Sequence, residues 1–152
     1  MIASLGRPGG NITGSATSLE DGFAGKWVQL LKEALPTASR VGVIHNPSNP
    51  SNVGYWRDIQ TAASTRGMRL TSYEVRRAQD LDPTFTAIAG NRPVALIIVT
   101  DPMLFGQRIR ILELIARTRV PAIFGFDDFV KSGGLLSYGP SLDDEWRRAQ
   151  HL

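Results

Sequence analysis

Three groups of polar side chains could do chemistry in this sequence, and each follows a short apolar run. His45, Asn46, Pro47, Ser48 and Asn49 come after Val41-Gly42-Val43-Ile44, Thr100 and Asp101 come after the run 94–99, and Gly125, Phe126 and Asp127 come after Ala122-Ile123-Phe124. Carboxamides and hydroxyls donate and accept, carboxylates accept, and an aromatic ring packs on apolar matter, so these loops carry what a small-molecule site needs. The residues of a catalyst are missing. There is no G-x-G-x-x-G, no G-x-x-x-x-G-K-[ST] and no G-x-S-x-G, which removes the dinucleotide fingerprint, the phosphate loop and the nucleophile elbow. With no Cys and two His, thiol catalysis and thiolate metal sites are excluded, and a zinc site lacks ligands. A Ser–His–Asp arrangement would have to recruit His45, at the edge of a strand, or His151, next to the last residue; a structural histidine explains either more simply. No catalytic residue, metal or cofactor is expected.

Each polar group also has a plainer reading. Asp101 and Asp127 can serve as N-caps of the helices that follow them, and Asn46-Pro47 is an ordinary turn signal; capping and binding can coexist. Arg7-Pro8-Gly9-Gly10-Asn11 could cradle an anion through backbone amides, but reads first as a glycine turn. Arg76-Arg77 and Arg147-Arg148 are too few and too far apart for a nucleic-acid face, and a net charge of +3 from 17 basic and 14 acidic residues adds little. Asp143-Asp144-Glu145 suits a helix N-terminus electrostatically.

The elements that must hold these loops alternate between strand and helix. Strands are predicted at 41–45, 68–75, 94–99, 122–124 and 135–138. Between them, Ser51 caps a helix to about Arg66 with Val53, Trp56, Ile59 and Ala63 on one face, and Gly67 stops it. Asp82-Pro83 reads as an N-cap followed by Pro at the first helical position, opening a helix to about Gly90. Asp101-Pro102 repeats that signal for a helix ending near Arg119, with Leu104, Ile111, Leu112 and Ile115 as its apolar stripe and Glu113 four residues before Arg117. A brief helix runs from Asp127 to Ser132, Gly133-Gly134 turns the chain, and a terminal helix starts at Ser141 or Asp143. An amphipathic helix from Phe23 to Leu35 precedes everything. The predicted fold class is therefore α/β: a three-layer αβα arrangement with a mostly parallel five-stranded sheet covered on both faces. The 152 residues fit one domain, and a chain of this size buries roughly two thirds of its unfolded surface without a staple. The longest apolar run, 94–100, is too short to cross a bilayer, and Met1-Ile2-Ala3 lacks the regions of a signal peptide. In an open parallel sheet, ligands sit beyond the carboxyl ends of the strands, where all three polar groups fall.

Four segments, in this order, resemble a known family: Ser4-Leu5-Gly6-Arg7-Pro8-Gly9-Gly10-Asn11-Ile12-Thr13-Gly14, Val43-Ile44-His45-Asn46-Pro47-Ser48-Asn49-Pro50, Thr100-Asp101-Pro102, and the run 129–142 beginning Phe129-Val130-Lys131-Ser132-Gly133-Gly134. The sequence resembles the solute-binding proteins of ABC importers related to tryptophan- and tyrosine-binding proteins, with a type I periplasmic-binding-protein fold. The resemblance implies that residues 1–15 are a hinge segment, 16–139 the C-terminal lobe, and 140–152 the start of a helix packing on another lobe. It implies ligand contacts from Asn46, Ser48, Asn49, Thr100, Asp101, Phe126 and Asp127, with Asp101 accepting a ligand amino group and Phe126 packing on an apolar or aromatic part. Thr13, Gly14, Ser137 and Tyr138 would form the hinge crossings. The implied partners are a small-molecule solute, an amino acid with aromatic ones favoured, and the permease of an ABC importer, in a periplasmic or lipid-anchored extracytoplasmic protein. A single lobe is expected to bind weakly and, with apolar surface uncovered, to form a homodimer. Two other classes share the fold type: a ligand-sensing effector domain of a regulator, and a small flavodoxin-like enzyme using Asp101 or Asp127.

Overall fold

Uncharged, β-branched runs make the centre of the sheet. In the computed structural model, which describes residues 22–149, the strands are β1 (Arg40–His45), β2 (Arg69–Glu74), β3 (Ala95–Ile98), β4 (Ala122–Phe124) and β5 (Leu136–Ser137). They form one sheet in the order β2-β1-β3-β4-β5, and every neighbouring pair is parallel. β3 and β4 are buried along their whole length and β1 from its second residue on, as strands covered on both faces must be. The edges differ: only Tyr73 of β2 is buried, and β5 has two residues.

Among the described residues there are seven α-helices: α1 (Gly25–Ala34), α2 (Pro50–Ser64), α3 (Leu81–Asn91), α4 (Pro102–Gly106), α5 (Arg108–Thr118), α6 (Asp128–Lys131) and α7 (Leu142–Ala149). Because side chains alternate along a strand, the sheet divides its apolar residues between two cores. Val41, Val43, Ile97, Val99 and Ile123 face α1 and α2, where Trp27, Val28, Leu31, Ile59 and Ala63 meet them. Ile44, Leu96, Ile98 and Phe124 face the other way, against Phe85, Ile88, Leu104, Ile111 and Leu114. Gly42 is where the sheet allows no side chain: a Cβ there would lie 2.7 Å from both the Leu96 and Tyr73 side chains.

Several expected boundaries move for identifiable reasons. Asn49, not Ser51, caps α2; its Oδ1 accepts the Ser51 amide at 3.1 Å. Asp82 caps nothing. The chain makes a 3-10 turn at Ala78–Asp80 on leaving β2, so α3 begins at Leu81. Asp80 takes the amides of Arg76 and Arg77 at 3.0 and 3.2 Å, which leaves Asp82 to pair with Arg110 of α5 at 2.7 Å. The helix expected from Asp101 to Arg119 is two, broken at Gln107, with Gly106, a weak helix former, as the last residue of α4. On α5 the buried stripe is Ile111 and Leu114, with Leu112 and Ile115 only partly covered, and Glu113 pairs with Arg110 rather than Arg117. Gly67 and Gly133 do end their elements in the left-handed region, at φ of 65° and 113°.

Candidate functional site

The sheet order sets the place of the site. β1 lies between β2 and β3, so the chain leaves β1 toward one side of the sheet and β3 toward the other. The connections diverge, and a crevice opens beyond the carboxyl ends of β1 and β3. Two of the three expected polar loops meet there.

Asp101 joins them. Its Oδ1 accepts the Leu104 amide at 3.0 Å and so caps α4, while its Oδ2 accepts the Asn46 and Asn49 side-chain amides at 3.2 and 2.9 Å. Asn46 also turns its own loop, its Oδ1 taking the Ser48 amide at 3.0 Å. Asn52 closes the network from the first turn of α2: Nδ2 donates to the Thr100 carbonyl at 2.9 Å and Oδ1 accepts the Asn46 amide at 3.0 Å. Asn52 is fully buried and Asp101 is 2% exposed, so these bonds form out of water, where an unmade one would be costly. Three donors on one carboxylate make Asp101 the fastening of both loops. Ser48 is exposed on the loop tip, and the Thr100 hydroxyl is buried with no hydrogen-bonding partner among the described residues.

The third loop brings aromatic surface. Phe126, half-buried, sets its ring edge-on to Phe105 of α4 at 5.4 Å and 73°. The Arg108 guanidinium lies 4.7 Å over the Phe105 ring and reaches the Phe105 carbonyl at 3.4 Å, a cation–π contact. Asp127 turns elsewhere. It caps α6 with no side-chain bond and pairs with Lys131 at 3.1 Å, and Lys131 also reaches Asp143 at 2.9 Å. Burial pushes the Asp127 carboxyl up, but hydrogen bonds from Lys131 and Asp128 outweigh it and hold it below its ordinary value. Asp128 is pushed up by burial and by the Asp127 carboxylate beside it.

His45, at the end of β1, is 5% exposed, stacks on Trp56 at 5.1 Å and 1°, and shares a 2.7 Å hydrogen bond with Ser72 through Nε2. Burial lowers its pKa, with Glu74 opposing and Arg76 reinforcing. Ser137 lies in β5 and Tyr138 follows it, while Thr13, Gly14 and His151 lie outside the described residues. Asn52, Phe105 and Arg108 escaped the sequence reading. The triple spacing Asn46, Asn49, Asn52 was a usable signal for the first; nothing in the order of residues marks the other two.

Two open clefts lie away from these loops. One of about 320 Å³ runs between the end of α5 and the β4–β5 side, lined by Leu112, Ile115, Val120, Phe124 and Leu135, and another of about 360 Å³ lies between α3 and α5. Among the described residues no group of three or more His, Cys, Asp or Glu could hold a metal, and no helix is long and apolar enough to cross a membrane.

Residues 1–145 match the ABC transporter substrate-binding protein family, and the chain belongs to that family. It is 22% identical over 139 residues to a tyrosine-binding protein of Clostridioides difficile, a match covering 91% of this chain and 39% of that protein. Among solved structures, a conserved domain protein from Vibrio cholerae aligns with a TM-score of 0.79 at 18% identity, over 99% of this chain and 49% of the other. An ABC domain from Streptococcus pneumoniae, solved in complex with L-Trp, aligns with a TM-score of 0.78 at 17% identity, over 99% and 51%. The fold is that of a type I periplasmic-binding-protein domain, and the chain spans about two fifths to one half of the length of these relatives.

Proposed function

We propose that this chain forms one wall of a cleft that captures a small solute, an amino acid with aromatic ones favoured, for an ABC importer. The observation that carries this reading is the meeting of Asn46, Ser48, Asn49 and Thr100 at the sheet's switch point, fastened by Asp101. A tyrosine-binding relative and a structural neighbour holding L-Trp support the class of solute. Residues 16–139 would be the lobe, with 1–15 and, at the lobe's end, 136–139 as crossings and 140–152 leading toward a second lobe. The protein would work outside the cytoplasmic membrane, in the periplasm or lipid-anchored, delivering solute to a permease. One lobe without its partner cannot exclude water, so binding by this lobe alone is weak, and its uncovered face favours a homodimer.

The geometry refines the roles of the wall residues. Asp101 already receives three hydrogen bonds, so it orients the carboxamides of Asn46 and Asn49 rather than meeting a ligand ammonium directly. Phe126 and Phe105 supply a ring surface. Arg108 is the cation of these loops without a carboxylate partner among the described residues, and it suits a solute carboxylate. Asp127, already paired with Lys131, would border the wall. The test is Arg108→Gln in the complete gene product, titrated calorimetrically with L-tyrosine, L-tryptophan and tyramine. Losing a hydrogen bond to a charged group costs about 1.5–3 kcal/mol, so both amino acids should bind at least about tenfold more weakly, while tyramine, which lacks the carboxylate, should be unaffected. Equal affinity of variant and parent for the amino acids would remove Arg108 from the site; no binding by the parent would remove the aromatic amino acid assignment.

A further inference from the structure

We propose that Trp27 is a positioning residue that locks the crossing at Tyr138-Gly139 to the ligand loop after β3, so that the two move as one body. Trp27, on α1, is completely buried, and its Nε1 donates to the Tyr138 carbonyl at 2.6 Å. A buried indole N–H must find an acceptor, and this one is spent on the crossing, 111 positions away. The crossing is gripped from two other sides. The Tyr138 amide donates to the Phe124 carbonyl at 2.9 Å, and the Phe23 ring stacks on Tyr138 at 5.1 Å and 19°, itself braced edge-on by Trp27 at 6.1 Å.

The link to the ligand loop runs through two glycines. A Cβ on Gly125 would collide with the Thr100 methyl, and would lie 2.9 Å from Trp27 Cζ2 and 3.0 Å from the Thr100 amide nitrogen. A Cβ on Gly139 would run into the Gly125 carbonyl. Thr100, Gly125 and Gly139 are therefore layers in direct contact, with Trp27 against the middle one. A displacement of the crossing at Gly139 presses on Gly125 and so on Thr100, because a packed interior has no void to absorb it. The functional use of the lock rests on the solute-cleft reading: bending between lobes would occur beyond Gly139 and leave the Asn46–Asp101 wall undistorted. The lock itself does not rest on that reading.

Hydrogen exchange read by mass spectrometry, without ligand, tests the lock on the parent protein, Trp27→Phe and Phe23→Leu. Phe keeps most of the ring volume and loses the N–H. Trp27→Phe is expected to speed exchange about tenfold, the effect of one lost buried hydrogen bond, in peptides spanning 136–141 and 98–101, with α3 and α5 unchanged. Phe23→Leu should give a smaller rise at 136–141 and decides the matter if Trp27→Phe does not fold. No change at 136–141, or a rise spread evenly over the protein, would overturn the proposal, since the first denies the grip and the second makes Trp27 ordinary core. A separate arm adds L-tryptophan to the complete gene product: slowed exchange at 46–52 supports the solute reading, and its absence counts against that reading alone.

Discussion

Asp101→Ala is expected to lower the melting temperature by about 6–12 °C and to abolish solute binding. The substitution removes an N-cap, worth typically about 1 kcal/mol. It also strands two side-chain amides, Asn46 buried and Asn49 half-buried, at about 1–3 kcal/mol for a group left unsatisfied in the interior. A loss of about 3 kcal/mol corresponds to that shift in a domain of this size. Binding fails for a second reason: without the carboxylate nothing ties the loop after β1 to the loop after β3. Asp101→Asn separates the contributions. It can keep the acceptor for the Leu104 amide, but it turns an NH₂ toward the two asparagine amides, so it should be less stable than the parent and more stable than the alanine variant. Thermal denaturation of the three proteins checks the order. A loss below about 0.5 kcal/mol for Asp101→Ala, the range of an ordinary surface substitution, would show that the network does not hold the site together.

Gly125→Ala is the second large effect. One methyl group has to enter a space already filled by Thr100 and Trp27, and overpacking of this kind costs about 1–3 kcal/mol. Because the neighbours are the methyl of Thr100, stiff at its β-branched χ1, the Thr100 backbone nitrogen and a buried indole, the upper part of that range is expected, about 5–10 °C in melting temperature. Gly54→Ala is the control. Gly54 lies inside α2 with nothing within 4 Å of the position a Cβ would take, and the same substitution there should stabilise by about 0.5–1 kcal/mol. Opposite signs for one chemical change would show that Gly125 is set by contact with its neighbours. Equal and small effects would deny the layering of Thr100, Gly125 and Gly139.

The sheet was legible in the sequence where burial leaves its mark. β1, β3 and β4 are covered on both faces and read as short uncharged runs, 41–44, Ala95–Ile98 and Ala122–Phe124, and Asp101-Pro102 marks the next helix because both its signals are local. Asp82-Pro83 carries the same local signal and means something else, since the turn after β2 decides where α3 starts and hands the amides to Asp80. The division at Gln107 depends on how α4 and α5 pack, which no periodicity records. At the site, the strand-end loops could be placed from the alternation of elements alone. The three donors on Asp101 could not, because two of them come from residues 55 and 52 positions earlier. Phe105 meets Phe126 from a separate loop, Arg108 reaches back over Phe105 across the α4–α5 boundary, and the Trp27–Tyr138 bond spans most of the chain. Contacts of this kind are products of the fold: the family motifs quoted above contain Asn46, Asn49, Asp101 and Tyr138, but nothing in their order says which of them meet.

The most direct test of the solute wall is amide chemical-shift mapping of the isotopically labelled complete gene product titrated with L-tryptophan and L-tyrosine. The largest shifts are expected at Asn46, Ser48, Asn49, Thr100 and Phe126, saturating together with one dissociation constant. Shifts confined to the cleft lined by Leu112, Val120 and Leu135 would contradict the wall as the place where solute is held, and none with either amino acid would contradict an aromatic amino acid as the solute.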